Sequence, residues 1–89
     1  MIRSKTWTVE LFLSEEDGHT RAEAVLRSGA DRELRAVGRA RRHPDDAEIP
    51  EIGDEVATSR ALSELAHKVL DAAASDIEAA TGRAARVHA

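Results

Sequence analysis

The spacing of apolar residues changes once along the chain, and this change constrains the fold more than any other feature. Up to about residue 42, apolar and polar residues alternate, as they do in half-buried β-strands. From about Gly53 onward, the apolar residues recur at intervals of three and four, as in an amphipathic helix. The pattern predicts an α+β fold in which a three-stranded antiparallel sheet packs against one long C-terminal helix (β-β-β-α), in a single domain over 1–89.

Turn signals divide the alternating part into three predicted strands, at about 5–14, 20–28 and 32–42. The first turn contains Asp17-Gly18, and the second contains Ser28-Gly29-Ala30. A three-residue loop in the second hairpin would place Arg27 opposite Glu33, which is a favourable cross-strand ion pair. Trp7, Val9, Leu11 and Leu13 share one phase of the first strand, so we expect them to be its buried side.

Pro44 ends the third predicted strand, and a polar, acidic loop covers 43–52. The helix is predicted over about 53–81, with Asp54 and Glu55 in the first turn, where the helix dipole favours carboxylates. Gly82 follows the last apolar position as a stop signal, and the tail 82–89 is expected to be frayed.

The apolar residues available for the core are small, which favours an oligomer. Apolar residues make up 42% of the 89 positions, and 17 of them are alanine. Alanine contributes little buried area, and a small domain buries a modest share of its surface, so a lone subunit would be marginally stable. Cysteine is absent, which excludes disulfides, thiolate zinc sites and cysteine nucleophiles. We therefore expect a second copy of the chain to complete the core, as a homodimer.

Two surfaces are predicted to need that second copy. The helix is longer than the strands, so about one quarter of it should extend beyond the sheet with apolar residues exposed. The face of the sheet away from the helix also carries apolar residues. The predicted dimer contacts on these two surfaces are Phe12, Val25, Val37, Ala73, Ile77 and Ala80.

The chain has no apolar run of about 20 residues, and its N-terminus lacks the apolar segment of a signal peptide. These features predict a cytoplasmic protein with no membrane partner. Charge is unevenly distributed: 1–43 hold nine basic and seven acidic residues, whereas 44–89 hold four and ten.

Several runs of residues resemble a known family of small proteins. The similar segments are Trp7-Thr8-Val9, 18–24 with Leu26, Gly38 with Ala40-Arg41, 50–55, 60–63 with Leu65, and 76–79. The resemblance therefore spans most of 6–81. The chain is similar to a family of small actinobacterial proteins of unknown function. The resemblance implies a fold grouped with double-stranded-RNA-binding-like domains, and a homodimer.

The resemblance also implies a physiological setting. Mycobacterial members of the family are associated with hypoxia and dormancy responses, and one has been likened in shape to ribosome hibernation factors. No catalytic residues are assigned in the family. The segment 41–45 is more basic here than in the relatives, and it carries His43 where they tend to have a neutral residue.

Arginines repeat along the predicted outward phase of strands two and three, and they are the strongest candidate site. Arginine suits phosphate oxygens because its guanidinium group can donate two parallel hydrogen bonds. The predicted contacts to RNA or a ribosome surface are Arg21, Arg27, Arg35, Arg39, Arg41 and Arg42. The alternative is a solvated face on which these arginines pair with Glu10, Glu23 and Glu33 or with a partner chain.

No pattern points to an enzyme, a cofactor or a metal site. The chain has no nucleophile elbow and no phosphate-cradling glycine loop, and its four histidines are too far apart in sequence to form a local metal pair. Three hypotheses remain. The first is a stress-associated protein that contacts a ribosome or structured RNA, and the second is an interaction or structural dimer module whose arginines serve the interface. The third is a sensor of a small molecule or metal ion that uses the acidic residues of 45–55.

Overall fold

Three strands and one helix make up the part of the chain that the computed structural model describes, namely residues 1–29, 32–43, 45 and 49–82. The strands are β1 (Thr8–Glu16), β2 (His19–Arg27) and β3 (Glu33–Arg41), and the helix is α1 (Pro50–Thr81). The sheet is antiparallel with the strand order β1-β2-β3. The predicted α+β architecture, with three strands followed by one long helix, is confirmed.

A two-residue turn sets the register of the first hairpin. Asp17 and Gly18 both have positive φ, at 50° and 74°, which is the geometry that an Asp-Gly pair supplies in tight hairpins. The turn pairs Glu16 with His19, so β1 runs to Glu16 and not to residue 14 as predicted. It also begins at Thr8 rather than at residue 5. A two-residue turn is shorter than the polar run suggested, and the extra residues join the ladder.

The second hairpin has the predicted register. Arg27 lies opposite Glu33, and the N–H of Ser28 donates to the carbonyl of Arg32 at 3.2 Å, so the pairing extends one step beyond the strand ends. Residues 30 and 31, in the middle of the predicted loop, lie outside the described part of the chain. At this turn, each predicted strand extends one residue too far: the prediction 20–28 ends one residue after β2, and the prediction 32–42 begins one residue before β3.

The helix begins at Pro50, which is earlier than the predicted position 53. Proline is favourable in the first turn because its missing N–H has no intrahelical partner there and its φ is already helical. The apolar periodicity starts later than the helix because the first turn is exposed. Gly82 ends the helix as predicted, with φ 70° and its N–H bonded to the carbonyl of Glu78 at 2.7 Å. Pro44 and 83–89, the rest of the predicted tail, lie outside the described residues.

The core lies between α1 and the two strands with small residues. Its buried members come from β2, β3 and the first half of the helix: Ala22, Ala24, Leu26, Ala36, Ala40, Ala57, Ala61 and Leu65. Gly38 lies among them, and a Cβ on it would come within 2.3 Å of the carbonyl oxygen of Ala57. Helix and strand backbones therefore approach very closely over β3.

The position of the helix over β2 and β3 leaves β1 exposed, contrary to the prediction. Every residue of β1 is exposed. Trp7, Val9, Leu11 and Leu13 retain between 37% and 55% of their accessible surface, although Val9, Leu11 and Leu13 lie opposite buried residues of β2. The reason is the size of the side chains, because the helix packs where alanine and glycine admit it, over β3, and that places it one strand away from β1.

Candidate functional site

The predicted arginines of the strands share the face of the sheet that points away from α1. The register places Arg21, Arg27, Arg35, Arg39 and Arg41 in the strand phase that alternates with the buried core residues. Arg42 follows the end of β3, and its N–H bonds to the carbonyl of Gly18 at 2.8 Å. The face divides into two halves with different electrostatics.

In the half near the second hairpin turn, carboxylates neutralise the arginines. Arg27 pairs with Glu10 on β1 and with Glu33 on β3, the latter at 3.8 Å. Arg35 pairs with Glu33 at 2.5 Å and with Glu23 at 3.0 Å. The hydrogen bond and the charge of Glu33, with a smaller contribution from Glu23, raise the pKa of Arg35 above its ordinary value. These two arginines are already bound to acidic groups of their own chain.

Val25 lies in this neutralised half and is fully buried, with no accessible surface. It stands opposite Glu10 on one side and Arg35 on the other, and both of these residues take part in the ion pairs just described. The prediction that Val25 contacts a second subunit is wrong for this arrangement, because the long charged side chains around it cover it.

The other half of the face is less neutralised. Arg21 lies directly opposite Arg39, and His19 lies directly opposite Arg41. Arg21 reaches Glu23 at 3.5 Å, whereas the side chains of Arg39 and Arg41 form no ion pair or hydrogen bond with the described residues. Like charges directly opposite each other in a sheet are destabilising. The Arg21–Arg39 pair therefore places positive charge on this half at a cost to the fold.

A fourth arginine joins this half from the helix. The guanidinium of Arg60 donates to the backbone carbonyl of Arg39 at 2.7 Å, which holds it at the edge of β3. A depression of about 410 Å³ opens between these groups, and Glu16 is the one carboxylate among its described lining residues. We call this set the basic corner: His19, Arg21, Arg39, Arg41 and Arg60.

A second surface lies on the opposite side of the sheet. Trp7, Val9, Leu11 and Leu13 form a row along β1 that α1 does not cover, and we call this row the apolar stripe. At its Trp7 end, a cleft of about 420 Å³ reaches Val69 and Ala73 of the helix. Contiguous exposed apolar surface of this kind is typical of interaction sites.

The other predicted dimer contacts differ in exposure. Phe12 and Ile77 are about half exposed, at 49% and 44%. Ala80 is exposed, whereas Val37 and Ala73 are partly buried. All five retain surface that a partner could reach, and their contact with a second subunit stays a prediction.

Two members of the basic corner were missed by sequence reasoning. The predicted set of arginines includes neither His19, the first residue of β2, nor Arg60, which lies in the helix. The Asp17-Gly18 turn was the available signal, since a two-residue loop there places His19 opposite Glu16 and so on the arginine face. The contribution of Arg60 depends on the position of the helix, which no local pattern reveals.

The described part of the chain contains no cluster of three or more histidine or carboxylate side chains that could hold a metal ion. His43 lies 3.7 Å from Asp45, and the ring of His67 contacts the carbonyl of Ser63 on its own helix. Asp46 and Glu48, which belong to the predicted acidic segment, fall outside the described residues. Among the helical residues described, no segment is long and apolar enough to cross a bilayer.

Comparison with known proteins gives consistent matches over nearly the whole chain. A family model described as Rv2632c-like matches residues 5–86. The uncharacterized protein Mb1767 of Mycobacterium bovis is 47% identical over 81 residues, which cover 91% of this chain and 85% of that protein. The uncharacterized protein Rv2632c of Mycobacterium tuberculosis is 46% identical over 77 residues, or 86% of this chain and 82% of that one. The crystal structure of Rv2632c superposes with a TM-score of 0.81 and 43% identity, covering 92% of this chain and 96% of that one.

Proposed function

The chain belongs to the Rv2632c-like family, and we propose that it is a non-enzymatic interaction module that works as a homodimer, with β1 as the interface. The relatives named above are described as uncharacterized proteins, so no activity is transferred from them. The observation that carries the proposal is the exposure of the entire strand β1, including the apolar stripe.

The two edges of the sheet differ in a way that supports this interface. At β3, side chains of the helix occupy backbone carbonyls: Lys68 donates to Arg35 at 2.6 Å, and Arg60 donates to Arg39. At β1, the outer edge pairs with no other strand of the described chain. An open edge strand is a template for pairing with another chain, and proteins usually guard such edges with charges or cover them.

The sequence of β1 suits pairing with a second copy of itself. An antiparallel two-fold arrangement that pairs all nine residues of the strand is centred on Phe12. In that register, Leu11 of one subunit lies opposite Leu13 of the other, and Glu10 lies opposite Ser14. No carboxylate lies directly opposite another, so the pairing avoids a like-charge penalty.

In the proposed dimer, the arginines of the sheet do not form the interface, unlike in the hypothesis drawn from the sequence. Arg27 and Arg35 are engaged by carboxylates of their own chain, so the interface we propose uses the apolar stripe and the β1 edge instead. Phe12 contributes from the outer face, since the two copies of Phe12 would meet at the two-fold axis.

Sedimentation of a charge variant tests the interface. Leu11→Lys places a charge in the apolar stripe at an exposed position, so it should yield a folded monomer while the wild type sediments as a dimer at micromolar concentration. Ile52→Lys is the matched control, because Ile52 is more exposed than Leu11, at 54% against 37%, but lies in the first turn of the helix. A monomeric wild type, or equal dissociation of both variants, would contradict the proposal.

Contact with RNA or a ribosome is the second candidate function, and the basic corner is the observation that favours it. The stress- or dormancy-associated setting stays a prediction that belongs with this candidate. A pull-down from stationary-phase or oxygen-starved cells would test it, with co-purification of ribosomal components as the expected result. Recovery of the protein free of ribosomal components under both conditions would count against it.

A further inference from the structure

We infer that the basic corner binds the phosphate groups of an RNA backbone and reads no base. The inference gives the second candidate function a defined site, and it rests on that candidate. The five basic residues of the corner lie on β2, β3 and α1, and not on the β1 edge that is proposed for self-association. The inference also narrows the predicted set of six arginines. Arg27 and Arg35 are each paired with two carboxylates. Arg21 has a single ion pair with the described residues, to Glu23 at 3.5 Å, and Arg42 does not line the depression.

The charge of the corner is the first argument. Four arginines and one histidine line a depression whose described lining contains a single carboxylate, Glu16, in a chain with a net charge of −4. Two cross-strand pairs in it, Arg21 with Arg39 and His19 with Arg41, join basic residues. An arrangement that costs the fold stability in the free protein becomes favourable when a polyanion lies across it.

The spacing of the guanidinium groups is the second argument. Arg21 and Arg39 lie side by side on neighbouring strands, about 5 Å apart at their backbones. Arg41 follows Arg39 by two residues, about 6.6 Å along the strand. Each group can donate two parallel hydrogen bonds to one phosphate, so the set spans more than one phosphate. A chain of phosphates fits this row better than a single small anion does.

The residues that line the corner favour contact with the RNA backbone over recognition of bases. The depression is lined by charged, small and polar residues, with no tryptophan, tyrosine or phenylalanine among those described and with His19 as the one ring. Recognition of single-stranded bases relies on aromatic platforms and on hydrogen bonds to base edges. Contacts limited to phosphates position a protein on RNA without selecting a sequence, and they make binding strongly dependent on salt.

Two double variants of the full-length protein test the site. Arg39→Gln with Arg41→Gln removes two charges from the basic corner. Arg27→Gln with Arg35→Gln removes two charges from the neutralised half of the same face and is the matched control. Binding is measured by fluorescence anisotropy with a labelled 20-nucleotide RNA of mixed sequence, between 50 and 200 mM salt, and circular dichroism checks that each variant is folded.

We expect the corner variant to bind RNA at least tenfold more weakly at 50 mM salt, and the control variant to stay within twofold of the wild type. The slope of log affinity against log salt should fall by about 1.4 in the corner variant, because each contact to a single strand contributes about 0.7. Arg39→Lys with Arg41→Lys should keep most of the slope, since it preserves the charge.

Three results would overturn the inference. RNA bound equally by the wild type and by the corner variant would remove the corner as the site while leaving the RNA candidate standing. Equal losses in the corner and control variants would show a diffuse charge effect. Displacement of RNA by polyglutamate, ATP or inorganic phosphate at the same concentration of negative charge would show a general anion site instead of an RNA backbone site.

Discussion

At the scale of single residues, Gly38 determines how closely the helix can approach the sheet. A Cβ on this glycine would lie 2.3 Å from the carbonyl oxygen of Ala57 and 2.3 Å from the amide nitrogen of Ala61. Both atoms belong to the helix backbone, which cannot rotate away as a side chain can. The alanines around Gly38 continue the same narrow interface, so its lack of a side chain is a packing requirement.

Gly38→Ala should lower the free energy of unfolding by about 1–3 kcal/mol, because the helix must move away from β3 to make room for the methyl group. Urea denaturation followed by circular dichroism measures the change. Gly53→Ala is the comparison and should cost less, since its added Cβ comes within 3 Å of one side-chain atom, the hydroxyl oxygen of Thr20 at 2.8 Å, and of no backbone atom, and alanine favours the helix. Equal stability of Gly38→Ala and the wild type would show that the contact is looser than described.

At the scale of elements, the helix and the strands differ in length. The 32 residues of α1 extend about 48 Å, whereas nine-residue strands extend about 30 Å. The fully buried part of the helix is confined to Ala57–Leu65, and the last two turns are exposed. Arg32, before β3, holds this distal part through an ion pair with Asp76 at 2.9 Å.

Arg32→Gln should increase amide exchange over 74–81 and leave 57–65 protected, because it releases the distal helix without touching the core. Hydrogen exchange measured by mass spectrometry or NMR would show it. Arg35→Gln, which removes ion pairs on the other face of the sheet, is the control. Unchanged exchange over 74–81 would mean that the cap at Gly82 alone holds the helix end.

The same ion pair has a defined pH dependence. The hydrogen bond and the charge of Asp76 raise the pKa of Arg32 above its ordinary value. A pKa raised on folding gives stability that is present at every pH below the ordinary arginine range and is lost only above it. Loss of the arginine charge therefore cannot release the helix end between pH 7 and 10, and the exchange experiment can be run anywhere in that interval.

At the scale of the whole molecule, the single chain is elongated and has little interior. Its radius of gyration is 16.8 Å, against about 12 Å for a compact domain of this length. Large apolar side chains of β1 lie outside the core, while alanines fill much of it. A partner that covered the exposed side chains of β1 would add buried apolar surface to this small core.

The melting temperature should therefore rise with protein concentration, since a dimer that dissociates on unfolding is stabilised by mass action. Differential scanning calorimetry over a hundredfold range of concentration measures the effect. Leu11→Lys should show no such dependence if it is monomeric throughout the range. A constant melting temperature of the wild type would place its stability within one subunit and would contradict the dimer.

Features with a local cause were predictable from the sequence. The alternation of apolar and polar residues predicted the three strands, and the expected three-residue loop predicted the register that pairs Arg27 with Glu33. Gly82 predicted the end of the helix. Each of these features depends on neighbours in the chain or on one turn. The helix start was misplaced by three residues, since Pro50 fits both a loop and a first turn. Of the candidate site, the arginine phase was predictable, but its division into a neutralised half and a basic corner was not.

The sequence by itself determined the elements, their order and which side chains share a face, because backbone periodicity and turn chemistry act over a few residues. Only the tertiary structure decided where the helix lies across the sheet. That position follows from the close approach at Gly38, which draws the helix over β3. It leaves the apolar stripe of β1 uncovered and brings Arg60 to the basic corner, so both proposed surfaces arise from packing between elements distant in the chain.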